Sequence, residues 1–287
     1  MHPWQMKARV FDLRQKRLVR MDGFGLYVMP NDYIGSSIEA HHSYEAHVTR
    51  VIRNELREGN VFLDLGANLG YFSMLACSLV KDTGKVIAFE PNPQNLQLIY
   101  ESKLHNNFAN LMVYPYAVSD RSEILRFITV GSNGGVVNEH SVCQEHSLLV
   151  QSAVLDQVLA GERRIDLVKM DIEAHEPAAL RGMENLLRSH RPKLITEFHP
   201  WALRRNYLEP PDEYLQHLEG MGYRLSVILP DGGLEPMRSH ADVMKYYAGL
   251  QCETVNLDLY AEPISEPAAR GPHAGAGQSV PQFVRTR

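Results

Sequence analysis

The chain has 287 residues, which suffices for one large α/β domain or two small ones and excludes a disulfide-stabilised miniprotein. Hydrophobic residues make up 44% and charged residues 22%, the balance of an ordinary folded domain rather than of a disordered chain. The 29 Lys and Arg residues against 34 Asp and Glu residues give a net charge of −5. A chain with this net charge has no overall positive potential to attract a phosphate backbone, so nucleic acid is not an expected partner.

Neither a membrane span nor an export signal is predicted. The longest nearly unbroken apolar stretch, residues 71–80, is too short to cross a bilayer. The basic N-terminal run is not followed by the apolar segment that secretory signals carry. The three cysteines, Cys77, Cys143 and Cys252, lie far apart without a CxxC spacing, which argues against a disulfide framework or a zinc site. A reducing cytoplasm is the expected location.

The first 43 residues are predicted to form a small N-terminal β appendage. Residues 9–38 resemble short strands interrupted at Asp22-Gly23 and at Pro30-Asn31-Asp32, both of which favour turns. Apolar residues then recur with the helical period from Tyr44 to Leu56. This spacing predicts a helix ahead of the main sheet.

From residue 60 onward, short runs rich in β-branched residues alternate with helical patterns. The alternation predicts an α/β fold with a doubly wound, mostly parallel sheet over residues 44–260. Asn92-Pro93 and Pro177 are helix-start signals within it. Segments 130–149 and 200–211 are predicted to be irregular loops, and 261–287 a disordered tail. The predicted strands are 60–65, 85–90, 111–118, 124–129, 166–170, 193–198, 223–229 and 254–260.

The segment VFLDLGANLGYFS runs from a buried strand into a tight turn and then into an apolar helix, as nucleotide-binding turns do. A dinucleotide fingerprint needs glycines at three positions, which here hold Gly66, Asn68 and Tyr71. The missing glycines weaken a pyrophosphate site, and Asp64 offers a carboxylate to a cationic amine. S-adenosylmethionine has such an amine and no phosphate. A nicotinamide-dependent oxidoreductase is the alternative.

Glu90 ends the next predicted strand, where an acidic side chain can accept hydrogen bonds from both hydroxyls of a ribose. Both cofactor classes use an acid at this place. The other interpretation of these residues is a structural strand-to-helix turn at Gly66 and Gly70, with Glu90 as a cap.

Seven blocks between about residues 44 and 260 together resemble the FkbM family of S-adenosylmethionine-dependent methyltransferases. They are Tyr44-Glu45, DLGANLGYFS, AFEPNP, PYAVSD, Leu155-Asp156, VKMDIEAHE and ITEFHP. The resemblance implies a class I, Rossmann-like methyltransferase fold and methylation of a hydroxyl on a sugar, a glycan or a natural product. Ala174 is a departure, because the family commonly has Gly there. The cofactor site so expected comprises Glu45, Asp64, Gly66, Asn68, Gly70, Glu90 and Asp120.

Methyl transfer to an alcohol requires that the hydroxyl lose its proton, so a general base or a metal is expected near the acceptor. Because the carboxyl ends of parallel strands meet at one edge, Asp171 and Glu173 should face the same crevice as Glu197 and His199. His199 is preferred over Asp171 because an imidazole titrates near neutral pH. The alternatives are that His199 caps the loop beside Pro200 and that the two carboxylates stabilise the next helix N-terminus.

Lys169 lies in a strand that should be covered on both faces, so it needs a carboxylate partner, for which Glu197 is the candidate. His175 is expected to be exposed. No acidic or histidine group has a recognised metal-ligand spacing, and no metal site is predicted. The expected partner is a small-molecule or glycan acceptor. A catalytically silent module that keeps the fold is a further functional class.

Overall fold

The computed structural model describes residues 11–137, 147–207 and 209–264. The strands are β1 (Arg17–Arg20), β2 (Gly25–Val28), β3 (Val61–Leu65), β4 (Lys85–Phe89), β5 (Leu111–Tyr114), β6 (Ala117–Val118), β7 (Ile124–Val130), β8 (Asn133–Val137), β9 (Leu148–Ala153), β10 (Leu167–Met170), β11 (Lys193–Phe198), β12 (Tyr223–Ile228), β13 (Leu234–Pro236) and β14 (Leu257–Pro263). The helices are α1 (Tyr33–His41), α2 (Ala46–Glu55), α3 (Tyr71–Val80), α4 (Pro93–Asn106), α5 (Leu155–Val158), α6 (Glu176–Arg181), α7 (Glu184–His190), α8 (Pro200–Ala202), α9 (Pro211–Gly220) and α10 (His240–Gly249).

The largest sheet in the described part of the chain has the order β13-β12-β14-β11-β10-β3-β4-β5. Strands β11, β10, β3, β4 and β5 run parallel, while β14 is antiparallel to both of its neighbours. Starting at β3 in the middle of the sheet, the chain adds β4 and β5 toward one edge. It then returns to the other side of β3, where it adds β10 and β11 toward the opposite edge. The predicted doubly wound, mostly parallel sheet is therefore confirmed. In such sheets ligands bind beyond the carboxyl ends where the order reverses, here between β3 and β10.

The central strands are continuous apolar runs because helices and loops cover both faces of the sheet. Every residue of β10 is buried, as are the last four residues of β3 and of β4. Helix α3 packs between the sheet and the elements α2 and β2, which explains its apolar sequence YFSMLACSLV. Helix α4 begins as predicted, since Asn92 accepts a hydrogen bond from Gln94 N at 3.0 Å and Pro93 follows.

The N-terminal segment is a β-hairpin followed by a helix. β1 and β2 pair antiparallel around the predicted turn at Asp22-Gly23. The expectation of strand up to residue 38 is wrong, because α1 begins at Tyr33, where Asp32 accepts a hydrogen bond from Gly35 N at 3.1 Å. Asp32 also accepts hydrogen bonds from Ser132 N at 3.0 Å and Ser132 Oγ at 2.6 Å. These bonds attach α1 to the β7–β8 turn.

Segment 130–149 contains strands where a loop was expected. β7 and β8 form an antiparallel hairpin, and β9 pairs with β7 and β6, which gives the order β6-β9-β7-β8. The sequence NGGVV of β8 has two glycines, which disfavour strands, and only two apolar residues. This segment is therefore a strand because it pairs with β7 and not because of its composition. Residues 138–146 lie outside the described residues. Segment 200–211 likewise holds α8 and a π-helical turn over Leu203–Tyr207.

The last strand is displaced from its predicted position, since β14 covers Leu257–Pro263 rather than 254–260. Most of the predicted tail, residues 265–287, lies outside the described residues. Within the described ranges, no helix has the length and apolar content that crossing a membrane requires.

Candidate active site

A cavity of ≈ 200 Å³ opens beyond the carboxyl ends of the central strands, at the reversal of strand order. Its wall is formed by the glycine turn after β3, the start of α2, the β7–β8 hairpin and the segments at the ends of β10 and β11. Apart from tyrosines, its titratable lining residues are Glu45, Glu90, Lys169, Asp171, Glu173, His175 and Glu197. The lining is therefore strongly acidic, and most of these residues were predicted from the sequence.

The glycine turn brings the backbone of β3 against the loop after β10. Gly66 has φ +81, and a Cβ built on it would lie 2.0 Å from Asp171 O. Gly66 N and Ala67 N both donate to Phe89 O at 3.0 Å. A side chain at position 66 would thus displace the loop that carries Asp171. The sequence prediction that a glycine is needed at this point agrees with this geometry.

Gly70 serves a different purpose, because it lies outside the residues that line the cavity. It has φ +94 at the N-terminus of α3, and a Cβ there would lie 3.0 Å from Ile99 Cγ1 on α4. Gly70 therefore allows α3 and α4 to pack closely.

Asn68 occupies the middle of the turn in the left-handed conformation, with φ 53. Asparagine tolerates this region better than most residues, which explains its presence where a dinucleotide fingerprint has glycine. Its backbone N donates to Glu90 Oε2 at 2.7 Å, and its Nδ2 donates to Asn133 Oδ1 at 3.1 Å. Asn68 thus joins the turn to the end of β4 and to the β7–β8 hairpin.

Glu90 is buried at the end of β4 and lines the cavity. Besides Asn68 N, it accepts hydrogen bonds at Oε1 from Asn92 N at 2.8 Å and from Asn95 Nδ2 at 3.3 Å. Burial raises the pKa of Glu90 to about 8, although the hydrogen bonds from Asn92 N and Asn68 N act to lower it. The carboxyl group is fixed by the fold and stays beside the glycine turn.

Asp64 does not face the cavity. It is completely buried in β3, where its Oδ2 accepts a hydrogen bond from Ser73 Oγ at 2.6 Å. Its Oδ1 is buried without a partner among the described residues. Burial raises the pKa of Asp64. The structure therefore places this side chain behind the turn, under α3, and outside the lining where a ligand amine would lie.

Lys169 has the carboxylate partner that its burial requires, but the partner is Asp171 rather than Glu197. Lys169 Nζ donates to Asp171 Oδ2 at 2.8 Å and lies 4.6 Å from the ring centroid of Phe72. Burial by itself lowers the pKa of Lys169, but the negative charges of Asp171 and Glu45 outweigh it and the pKa is raised. The lysine is thus held as a cation at the floor of the cavity.

Two other acids carry oxygen atoms that are buried without a partner in the described part of the chain, Glu45 Oε2 and Glu197 Oε2. Glu197 Oε1 accepts a hydrogen bond from Asn256 Nδ2. Burial raises the pKa of Glu45 to about 7, with Lys169 acting in the opposite sense. Burial, followed by the charges of Asp171 and Glu173, raises the pKa of Glu197 well above its usual value. Both side chains line the cavity.

The loop after β10 presents Glu173 to the cavity through a strained backbone. Glu173 has φ 59 and Ala174 has φ 68, both in the left-handed region that favours glycine. Glu176 supports the loop, since its Oε1 accepts a hydrogen bond from Ile172 N at 2.8 Å. Burial, then the charges of Asp171 and Glu45, raise the pKa of Glu173 to about 8.

His175 follows in the same loop and is half-buried, so the expectation that it is exposed is wrong. Its Nε2 lies 3.2 Å from Ser119 Oγ, and its Nδ1 is buried without a partner among the described residues. Burial lowers the pKa of His175 to about 4. The ring is therefore neutral at neutral pH.

His199 and Asp120 lie outside the cavity lining. His199 caps α8, where its Nδ1 accepts a hydrogen bond from Ala202 N at 3.4 Å, and it is absent from the cavity lining. The alternative interpretation of His199, as a cap beside Pro200, is therefore the one that the structure shows. The backbone turns into α8 directly after β11 ends at Phe198. Asp120 pairs with Arg181 at 2.8 Å and lines a neighbouring surface cleft, which shares His175 with the cavity. The structure brings neither side chain to the glycine turn.

The β7–β8 wall was missed by the sequence analysis because that segment was expected to be a loop. Ser132, Asn133, Gly134 and Val136 line the cavity from this hairpin, and Ile34 lines it from α1. Tyr207 OH donates to Val136 O at 2.6 Å and fixes the hairpin to the segment after β11. Within the described ranges, no group of three or more His, Cys, Asp or Glu side chains is arranged to hold a metal ion.

Comparisons with known proteins agree on the kind of protein. Residues 64–225, more than half of the chain, match the family model of the methyltransferase FkbM domain. The chain is similar to the hexuronic acid methyltransferase AglP of Haloferax volcanii, with 32% identity over 151 residues, 50% of this chain and 59% of that protein. It is also similar to the 31-O-demethyl-FK506 methyltransferase FkbM of Streptomyces tacrolimicus, with 28% identity over 178 residues, 50% of this chain and 67% of that protein.

A solved structure gives a weaker likeness. Methyltransferase FkbM from Methylobacillus flagellatus KT superimposes with a TM-score of 0.43 and 15% identity, covering 78% of this chain and 52% of that one. The chain spans 59% of the length of the archaeal relative and 67% of the Streptomyces relative.

Proposed function

The chain belongs to the FkbM family of methyltransferases, and on that premise we propose that it methylates a hydroxyl oxygen of a sugar, a glycan or a natural product, with S-adenosylmethionine as the methyl donor. One observation carries the proposal. The Glu90 carboxyl group lies beside the glycine turn and lines the same cavity as Asp171 and Glu173 across the reversal of strand order. The printed names of the two relatives, a hexuronic acid methyltransferase and a 31-O-demethyl-FK506 methyltransferase, favour this acceptor class.

The residues at the glycine turn fit this donor. Glu90 accepts three protein hydrogen bonds, so about one of its four lone-pair positions is open to a ribose hydroxyl. The unpartnered Glu45 Oε2 suits an ammonium group. The acidic lining also complements a ligand of net positive charge and disfavours phosphate-rich acceptors such as nucleic acid. When bound, the donor supplies an electrophilic methyl group on a sulfonium.

Glu173 is the general base in this proposal. A base works best when its pKa lies near the working pH, and the pKa of Glu173 is raised to about 8. Its carboxylate would take the proton of the acceptor hydroxyl, and the donor would supply the methyl group, whose bond to the sulfonium sulfur breaks as the bond to the acceptor oxygen forms. Asp171, held by Lys169 at 2.8 Å, is a positioning residue that keeps negative charge next to Glu173. His199 has no part in this step because it lies outside the cavity lining.

The proposal is tested by two measurements on the purified chain. Isothermal calorimetry with S-adenosylhomocysteine and, separately, with NAD distinguishes a methyltransferase from the oxidoreductase alternative. A screen of hydroxyl compounds with donor labelled in its methyl group then identifies the acceptor, and mass spectrometry of the product locates the new methyl. Binding of NAD in place of S-adenosylhomocysteine refutes the proposal. Binding without transfer to any acceptor supports the silent module instead.

A further inference from the structure

Glu197 has a buried oxygen that the fold leaves available. Its Oε1 accepts a hydrogen bond from Asn256 Nδ2, while its Oε2 is buried without a partner among the described residues. Both residues line the cavity. Leaving a buried acceptor unsatisfied costs about 1–3 kcal/mol, and more for a charged one. A ligand that donates a hydrogen bond at this point would therefore be stabilised.

The position of Glu197 in the sheet places it on the acceptor side of the cavity. The glycine turn follows β3 and Glu90 follows β4, whereas Glu197 belongs to β11, which is separated from β3 by β10. Neighbouring strands lie about 4.8 Å apart, so Glu197 is roughly 10 Å across the sheet from the turn. The acceptor should lie at this end, since the ribose of the donor would lie beside Glu90 at the end of β4.

The surroundings of Glu197 are rich in carboxyl groups. Asp171, Glu173, Glu176 and Asp258 all act on it electrostatically in the sense that disfavours its ionised form. Lys169 is the only lysine or arginine among the described lining residues, and its charge is taken up by Asp171. His175 is neutral at neutral pH. This end of the cavity thus has more carboxyl groups than cations, so a bound cation would stabilise their ionised forms and a bound anion would disfavour them further.

We propose that Glu197 binds a protonated amine carried by the acceptor, so that the substrate is an amino-bearing alcohol such as an amino sugar and not an anionic sugar. An ammonium offers three donors, which suits Glu197 Oε2 and the neighbouring carboxyl groups. It also supplies the positive charge that the buried acids lack. This inference rests on the proposed function, because it assigns the acceptor of that same cavity.

The test compares three probes that differ in one group, the methyl glycosides of glucosamine, glucose and glucuronic acid. Their dissociation constants for the protein loaded with S-adenosylhomocysteine are measured at a pH where the amine is protonated. The glucosamine probe should bind at least about tenfold more tightly than the glucose probe, as one charged hydrogen bond allows, and the glucuronic acid probe should bind most weakly.

Variants of Glu197 complete the test. Glu197→Gln should abolish the preference for the amine, while Glu197→Asp, which keeps the charge, should retain it. Affinity for S-adenosylhomocysteine should stay within about twofold of wild type in both, since a group on the acceptor side does not contact the donor. Glu235→Gln on β13, an exposed acid outside the cavity lining, is the matched control and should change nothing.

Three results would overturn the inference. One is equal binding, or absence of binding, of all three probes while S-adenosylhomocysteine binds normally. Another is a preference for the glucuronic acid probe. The third is a loss of tenfold or more in S-adenosylhomocysteine affinity in folded Glu197→Gln, which would assign Glu197 to the amine of the donor. Failure of the wild-type chain to bind S-adenosylhomocysteine would instead refute the proposed function.

Discussion

Replacement of Gly66 by alanine examines the glycine turn most directly. With φ +81, an alanine at this position costs about 1–2 kcal/mol from its backbone conformation alone. The added Cβ would lie 2.0 Å from Asp171 O and 2.9 Å from Ile172 Cγ2, so the loop after β10 must move. Overpacking of this kind adds about 1–3 kcal/mol. Gly66→Ala should therefore lower the free energy of unfolding by about 2–5 kcal/mol.

Two other glycines separate these contributions. Gly59 has φ +83, but the nearest atom to its added Cβ is Thr83 Oγ1 at 3.8 Å, so Gly59→Ala should show the conformational cost alone. Gly161→Ala has no atom within 4 Å and no positive φ, and should leave stability nearly unchanged. Urea unfolding of the three variants measures the difference, and calorimetry should show loss of S-adenosylhomocysteine binding only in Gly66→Ala. The steric reasoning is refuted if Gly66→Ala is as stable as Gly59→Ala and binds normally.

Three further predictions concern side chains of the candidate site and its surroundings. Glu90→Gln should weaken S-adenosylhomocysteine binding about tenfold, because the amide cannot accept both of the hydrogen bonds from Asn68 N and Asn92 N that hold the carboxyl group beside the turn; an unchanged dissociation constant by calorimetry would remove Glu90 from the ribose site. With the pKa of Glu173 at about 8, its base form increases as pH rises, so wild-type turnover should increase with pH up to that value. Glu173→Gln should lower turnover about 10²- to 10⁴-fold and flatten that profile, and a retained slope would point to another base. His199→Ala should keep turnover near wild type, and a large loss in the same assay would restore His199 as the base.

The parts of the site that sequence predicted well are those determined by local rules. The apolar strand before Gly66 and the helix after it share one short segment, so the strand, turn and helix are visible in thirteen consecutive letters. Glu90 was located in the same way, as the acid at the end of the next strand. The carboxyl ends of parallel strands meet at one edge, which also placed Asp171, Glu173 and Glu197 in one cavity before the structure was known.

The partner of Lys169 follows from a local rule of strand geometry. Side chains two residues apart along a strand point to the same face, which puts Asp171 beside Lys169 without any knowledge of the neighbouring strand. His199 lies outside the cavity lining for a different reason. Its distance along the chain from Glu197 suggests the same face, but α8 begins at Pro200 and turns the backbone, so His199 caps a helix.

The sequence by itself determined the fold class, the glycine turn and the acids of the central strand ends, because each depends on periodicity or on a few adjacent residues. Only the tertiary structure decided which of those acids face the cavity and which do not. Asp64 is withdrawn beneath α3 by its bond to Ser73 Oγ at 2.6 Å. The β7–β8 wall is held in place by Asp32, whose two oxygens reach Ser132 across a separation of 100 residues. The bonds between Asp32 and Ser132 join segments that are distant in the chain, and no local pattern specifies their pairing.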